Sequence, residues 1–558
     1  MSEKKRKGGL IHFLLTVVLP AAVIVLIANL VIPNPSDDDL VAQVRSALGT
    51  GQPGRAGEVL ARMVEQDPYN LSIHRDMIHL HFDGRSTGPI ETDPLALRYM
   101  SYCVSEDVRL QDVGHYALGL IHVTRDNDHE GALTEYNLVT DRSLPYLNNS
   151  MGYCYMQLGK DREALEAFAA EIQAGGNLPG AFSNMFRILR KLEDFGSIRS
   201  LLNARPDAET FMPPMIRREL ALNEWRVGSY IGIVISQALA SVNMGGVAAA
   251  VLILLIWFFF LRSLDVFEPE RLRFLVMMLV GGMVLSMVGH FLYDMVRFGL
   301  NVDLNGHVIN DLLYCILAIG GIEETVKIIP LLLLMLFTRQ VDERVDYLIY
   351  AGISALGFAF MENLLYFDIG SLTSVHGRAF TAVVLHMSLS VLAAWGLVLT
   401  HGKPVSRWKR AGSFAVTFLA AVVVHGLYDF FLMSPALKLA AASFLLLLVM
   451  IAMMQRMIIN ALNNSRFWTD TGKTRFLDRM NFLQYGLTGV VLAEFLVLAI
   501  SFGPEAATRH TLGALVRALV MIMVLTQSLG VFPLEKGLTV PIYNWKGLFR
   551  KQKQETPD

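Results

Sequence analysis

Six ionisable side chains stand inside the most apolar stretches of this chain: Glu323, Glu324, Glu362, His386, His425 and Asp429. An ionised carboxylate at the centre of a membrane helix costs roughly 2.5 to 3.5 kcal/mol on insertion scales, so several on neighbouring segments mark a site. Carboxylates and imidazoles together are groups that take and give protons near neutral pH. The chemistry they suit is proton transfer, which directs the reading toward an enzyme working inside the bilayer, with hydrolysis as the expected reaction. A glutamate of the 323/324 pair acts as general base on a water, and His386 or His425 polarises the carbonyl or protonates the leaving amine. Glu362 and Asn363 complete the water and oxyanion environment. Asp429, one helical turn after His425, is placed to orient that imidazole, and Lys327, one turn after Glu323, to balance the charge of the carboxylate pair. A metal alternative uses Glu362, His386 and His425 as a His₂Glu zinc set with Glu324 as base. The chain has no HExxH segment, so the expectation is a site without a cofactor, zinc being the lesser alternative.

The elements that must position these groups are membrane helices. Of 558 residues, 53% are hydrophobic and 18% charged, too apolar a balance for an all-soluble chain of this size. The formal net charge of −2 carries no nucleic-acid signal. Cys103, Cys154 and Cys315 are too few and too scattered for a disulfide framework or a thiolate metal site. Lys4, Lys5, Arg6 and Lys7 precede an apolar run of roughly 24 residues from Gly9 to Ile32, where the core of a signal peptide has about 7 to 15, so the run reads as an uncleaved anchor. After Arg226, residues 228–242 read as an interfacial or partly inserted helix. Further spans follow near 244–263, 274–297, 309–338, 346–367, 379–400, 411–433, 438–457, 481–502 and 511–531, about ten in all. Alternate loops carry the basic residues, among them Arg262, Arg271, Arg339, Arg344, Lys403, Arg407, Arg466 and Arg479, and the tail carries Lys546, Arg550 and Lys551. By the positive-inside rule these loops and both termini face the cytoplasm of a cell (inner) membrane.

This topology gives each polar residue a depth. The 323/324 pair sits near the middle of its span, Glu362 about five residues outward of centre, His386 about four and His425 about three, so at 1.5 Å rise per residue they share a slab roughly 10 Å thick. Four antiparallel helices delivering acids and imidazoles to one level is a site geometry. Glu494 and Arg517 come out at similar depth with opposite charge and read as a structural ion pair. His290 and Asp294 repeat the i, i+4 pattern nearer the outer end of their span and read as supporting or structural.

Between Ser36 and about Arg226 the chain turns polar and helical. Gly152, Tyr155, Gly159, Ala164 and Phe168 have the spacing of a tetratricopeptide helix pair, whose period is about 34 residues. Ala132 and Tyr136 fall one repeat earlier, and Leu189, Ile198 and Leu202 one repeat later. The fold class is therefore all-α: a polytopic membrane helix bundle carrying an extracytoplasmic tetratricopeptide-like α-solenoid. Surfaces of that kind bind peptides or proteins, and the domain holds no catalytic constellation.

Gly321-Ile322-Glu323-Glu324-Thr325-Val326-Lys327, then Phe358-Ala359-Phe360-Met361-Glu362-Asn363-Leu364-Leu365-Tyr366, then His386, then His425-Gly426-Leu427-Tyr428-Asp429 resemble the PrsW family of intramembrane proteases, related to the Abi/CAAX-type glutamic proteases. The resemblance covers about residues 270 to 460. It implies a membrane-anchored protein substrate, of the anti-sigma-factor kind, cut on the extracytoplasmic side. The expected division is an anchor at 1–33, the repeat domain at 34–227, a PrsW-like core at 228–460, and two further spans with a basic tail at 461–558. The expected partners are that substrate, the lipid bilayer and a peptide or protein ligand of the repeats, with no nucleic acid. Two other classes compete: a proton-coupled transporter, against which no inverted repeat is visible, and a non-catalytic scaffold in which the repeats do the work.

Overall fold

The computed structural model describes residues 19–82, 89–240, 243–300, 302–367, 369–435, 437, 439–469, 476–532 and 534–542. The basic segment at Lys4 to Lys7 and the basic tail lie outside the described residues. Among those residues every regular element is helical, and the chain forms two units, Asn34–Ala240 and Met1–Pro33 with Ser241–Asp558.

The larger unit is built from α1 (Met244–Leu264), α2 (Leu272–Asp294), α3 (Gly321–Phe337), α4 (Arg344–Tyr366), α5 (Ala382–Thr400), α6 (Arg407–Met433), α7 (Ala440–Asn463), α8 (Phe476–Phe502) and α9 (Pro504–Gly530). Among the described residues eight helices are long and apolar enough to cross a membrane: all of these but α3, which is shorter. The expected single span at 309–338 is instead a composite. A short helix, Val308–Leu313, runs through a π-helical stretch, Tyr314–Gly320, into α3. Wide turns of this kind shift helical register and cluster at functional sites, and this one stands directly before the glutamate pair. Of the expected N-terminal anchor, the described part is a helix of 13 residues, Leu19–Val31, whose Asn29 side chain donates to the Thr508 hydroxyl on α9 at 3.1 Å.

Burial separates the faces of the bundle. Helix α5 is enclosed along almost its whole length, packed by α4, α6 and α7. By contrast, α2 exposes Val276, Val280, Val284 and Met287, and α9 exposes Leu512, Val516, Val520 and Met523. Such helical-spaced stripes on the outside are stable against hydrocarbon rather than water, so they mark the lipid-facing sides. Two close approaches draw the inner helices together. A Cβ on Gly357 of α4 would lie 2.1 Å from the Leu279 carbonyl oxygen of α2, and one on Gly426 of α6 would lie 2.3 Å from the Ile316 Cα of the π-helical stretch. Only glycine fits at either point, as expected where membrane helices approach by their backbones.

The smaller unit is a succession of short helices. Pro94–Cys103 packs on Val108–Ile121, Leu147–Gln157 on Asp161–Ala174, and Leu178–Lys191 follows. Gly119 and Gly152 lie beneath the rings of Tyr136 and Phe168, and at each a Cβ would come within 2.5 Å of the ring. Ala132, Tyr136, Ala164 and Phe168 are fully buried, so the same small-under-aromatic contact is made twice in succession. The helix Val227–Ala240 packs on Pro214–Asn223 and closes this unit at residue 240.

Candidate active site

The first turn of α3 places Glu323 and Glu324 side by side, with Lys327 one turn on. Consecutive helical residues point about 100° apart, so the two carboxylates cannot do the same work. Glu324 is fully enclosed: its Oε1 lies 2.6 Å from Lys327 Nζ and 2.8 Å from His425 Nδ1. Glu323 is also buried, at 7% exposed, and its Oε1 accepts the Tyr293 hydroxyl of α2 at 2.7 Å. Its Oε2 lies 3.7 Å from His386 Nδ1 on α5, 3.5 Å from His425 Nε2 on α6 and 3.3 Å from Lys327 Nζ.

Each imidazole is held from behind by a different carboxylate. His386 Nε2 is 2.9 Å from Glu362 Oε2 of α4, while its Nδ1 is 3.0 Å from Lys327 Nζ. With its Nε2–H donated to Glu362, His386 turns Nδ1 to the centre; with Nδ1–H donated to Glu324, His425 turns Nε2 there. The rings stand 5.5 Å apart at 74°, and the Phe358 ring packs 5.5 Å from His386. Lys327 itself is fully buried, 4.9 Å over the Phe358 ring. The Ser354 hydroxyl donates to the Lys327 carbonyl at 2.7 Å and fixes α3 against α4.

The contacts change some of the expected roles. Asp429 Oδ2 sits 3.4 Å from His425 Nε2, the pairing its i, i+4 spacing implied, and Glu324 Oε1 holds the ring's other nitrogen at 2.8 Å. Glu362 lies behind His386, which removes it from the converging oxygen and nitrogen atoms; Glu323, His386 and His425 form the compact set, their ligand-capable atoms all within 4.8 Å. Asn363 is buried with its Oδ1 accepting from Arg378 Nε at 2.7 Å, so it positions that arginine. The Glu494–Arg517 ion pair does not form. Glu494 instead takes hydrogen bonds from His376 and His510, at 2.8 to 3.0 Å, because equal depth on two helices leaves their rotation open.

Two contributors lay outside the expectation. Tyr293 had no signal beyond its place in an apolar span. Arg378, on the short helix Val375–Phe380, pairs with Glu362 at 3.0 Å and stacks over Tyr366 at 4.1 Å; a cation just outside a span was its one legible sign. Glu323, Glu324, Glu362 and Asp429 face two fixed cations, Lys327 and Arg378. Two negative charges remain, which two protons on the imidazoles, or one divalent ion, would balance.

An enclosed set of proton-carrying groups thus stands on converging apolar helices of a multi-pass membrane protein. Residues 268–455 match the PrsW-protease family, described as PrsW family intramembrane metalloprotease. The chain is similar to the protein named Protease PrsW of Clostridioides difficile (strain 630), 27% identical over 192 residues, covering 33% of this chain and 77% of that one. It is likewise similar to Protease PrsW of Geobacillus kaustophilus (strain HTA426), 28% identical over 194 residues, or 35% and 80% of the two chains. No solved structure matches the chain. These likenesses support the PrsW family for the core and make the protein a membrane peptidase.

Proposed function

We propose that the protein hydrolyses a peptide bond of a membrane-anchored protein within the bilayer, with Glu323 as general base. The observation that carries this reading is that one carboxylate oxygen, Glu323 Oε2, faces the inner nitrogens of both imidazoles, each ring being fixed by a separate carboxylate. Glu323 takes a proton from a water as its oxygen attacks the scissile carbonyl. An N–H of His386 or His425 meets the oxyanion, and the proton passes to the amine as the C–N bond breaks. Lys327 and Glu324 hold this geometry from beneath, and Arg378 holds Glu362 behind His386.

A second reading rests on the same atoms. One carboxylate oxygen and two imidazole nitrogens, with a carboxylate behind each ring, fit a zinc-type ion held by Glu323, His386 and His425. When bound, such an ion would supply Lewis-acid polarisation of the carbonyl and an activated water. Purified protein acting on a single-span reporter, with and without chelator, separates the readings. Chelator-resistant cleavage supports glutamate chemistry, loss restored by zinc supports the ion, and no cleavage under either condition returns the transporter and scaffold readings. Under either hydrolytic reading His386→Ala and His425→Ala should each lower turnover about 100-fold or more.

The smaller unit, read as tetratricopeptide-like, would select or gate substrates outside the cytoplasm, with regulators of the anti-sigma type as the class that the resemblance implies. A reporter fused near Asn203 should behave as extracytoplasmic and one after Lys403 as cytoplasmic. The opposite pattern would overturn this topology.

A further inference from the structure

Far from the carboxylate–imidazole centre, a second group of acids is buried where the chain leaving α1 meets the start of α4. Asp265, Glu270, Glu343 and Asp346 are 4%, 8%, 2% and 2% exposed. Part of their bonding is ordinary capping. Glu343 and Asp346 form a capping box at the N-terminus of α4, and Asp346 Oδ2 accepts the N–H groups of Asp342 and Glu343, each at 2.8 Å. The Ser465 hydroxyl donates to Glu343 Oε2; Glu270 Oε2 accepts from the Tyr350 hydroxyl at 2.5 Å and from Gln340 at 3.2 Å; and Asp265 Oδ1 accepts the Glu268 N–H at 3.1 Å.

Capping does not complete the set. Asp265 Oδ2 and Glu343 Oε1 are buried with no hydrogen-bond partner. No lysine, arginine or histidine pairs with any of the four among the described residues, and the nearby Arg466 pairs with Asp342 at 2.7 Å instead. A buried, unmet carboxylate oxygen costs several kcal/mol unless a cation or proton meets it. One oxygen from each of Asp265, Glu343 and Asp346 lies within 4.8 Å of the others, a spacing that a single ion can span.

We propose that Asp265, Glu343 and Asp346, with Glu270 beside them, bind a hard divalent cation of the calcium or magnesium class that ties the 265–271 loop to the start of α4. An all-oxygen donor set with no imidazole or thiolate selects this class over zinc or copper. The site is separate from the hydrolytic centre: Asp346 and Glu362 stand on one helix about 24 Å apart at 1.5 Å per residue. The ion would anchor the helix that carries Glu362 without touching substrate.

The test is direct binding to purified, metal-stripped full-length protein in detergent, with terbium(III) as the probe and the tyrosine beside Glu270, Tyr350, as the light-harvesting group. Saturable emission is expected at about one ion per chain, displaced by calcium or magnesium, unchanged in Glu323→Gln and at least tenfold weaker in affinity in Asp265→Asn. Glu343→Gln, which keeps the capping shape, should weaken it equally. Calcium should also raise the melting temperature of the wild-type protein and not of Asp265→Asn. Absence of saturable emission, emission lost in Glu323→Gln, or emission surviving both Asp265→Asn and Glu343→Gln would overturn the proposal, leaving the four acids as a proton-sharing cap.

Discussion

Glu323→Gln should lower cleavage of a membrane-anchored reporter by about 10² to 10⁴-fold, the range for losing a general base, while the protein folds as before. The amide matches the carboxylate in shape and keeps an oxygen for the Tyr293 hydroxyl, which bonds Glu323 Oε1 at 2.7 Å. The neighbouring change should behave differently. Glu324 is fully buried against Lys327 and His425 Nδ1, so Glu324→Gln withdraws the nearest counter-charge from a buried ammonium. Removing one partner of a buried pair costs about 3 to 5 kcal/mol, and Glu324→Gln should therefore lose both melting temperature and activity. Turnover and thermal unfolding measured on the two variants side by side decide the assignment. Near-normal turnover in Glu323→Gln, or a Glu323→Gln that loses melting temperature beside a Glu324→Gln that is stable but inactive, would show that the roles of the pair have been exchanged or misread.

Depth along apolar helices was enough to group Glu323, Glu324, Glu362, His386 and His425, because hydropathy limits and a rise of about 1.5 Å per residue set height without any knowledge of packing. Rotation about each helix axis is a different quantity. It decides which glutamate faces the imidazoles, and here it depends on the π-helical stretch at Tyr314–Gly320, which no apolar periodicity announces. The same limit explains Glu494: matching depth pointed to Arg517, whereas the partners are His376, on a segment before α5, and His510, near the start of α9. The partners of Arg378 and Tyr293 became visible only through tertiary contact, since neither stands in a spacing pattern with the groups it touches. The helical class and most spans were legible for the opposite reason: each rests on a long run of apolar residues, where a single misplaced side chain changes little.

Lys327→Met should cost more folded protein than any single change to an imidazole. The ammonium is fully buried and lies 2.6 Å from Glu324 Oε1, 3.3 Å from Glu323 Oε2 and 3.0 Å from His386 Nδ1, so its removal leaves two buried carboxylates repelling one another with no cation between them. A loss of about 3 to 5 kcal/mol follows from breaking a buried ion pair on one side only. Replacing both partners is another matter, because two apolar side chains of similar volume need no desolvated charges at all. The double variant Lys327→Met with Glu324→Leu should therefore recover most of the melting temperature lost in Lys327→Met, while staying inactive because His425 Nδ1 has lost its acceptor. A double-mutant cycle on unfolding reads the coupling between the two residues directly. If Lys327→Met melts with the wild-type protein, or if the double variant is no more stable than the single, then Lys327 does not hold the glutamate pair in place and the site must be organised from the side of Arg378 and Glu362.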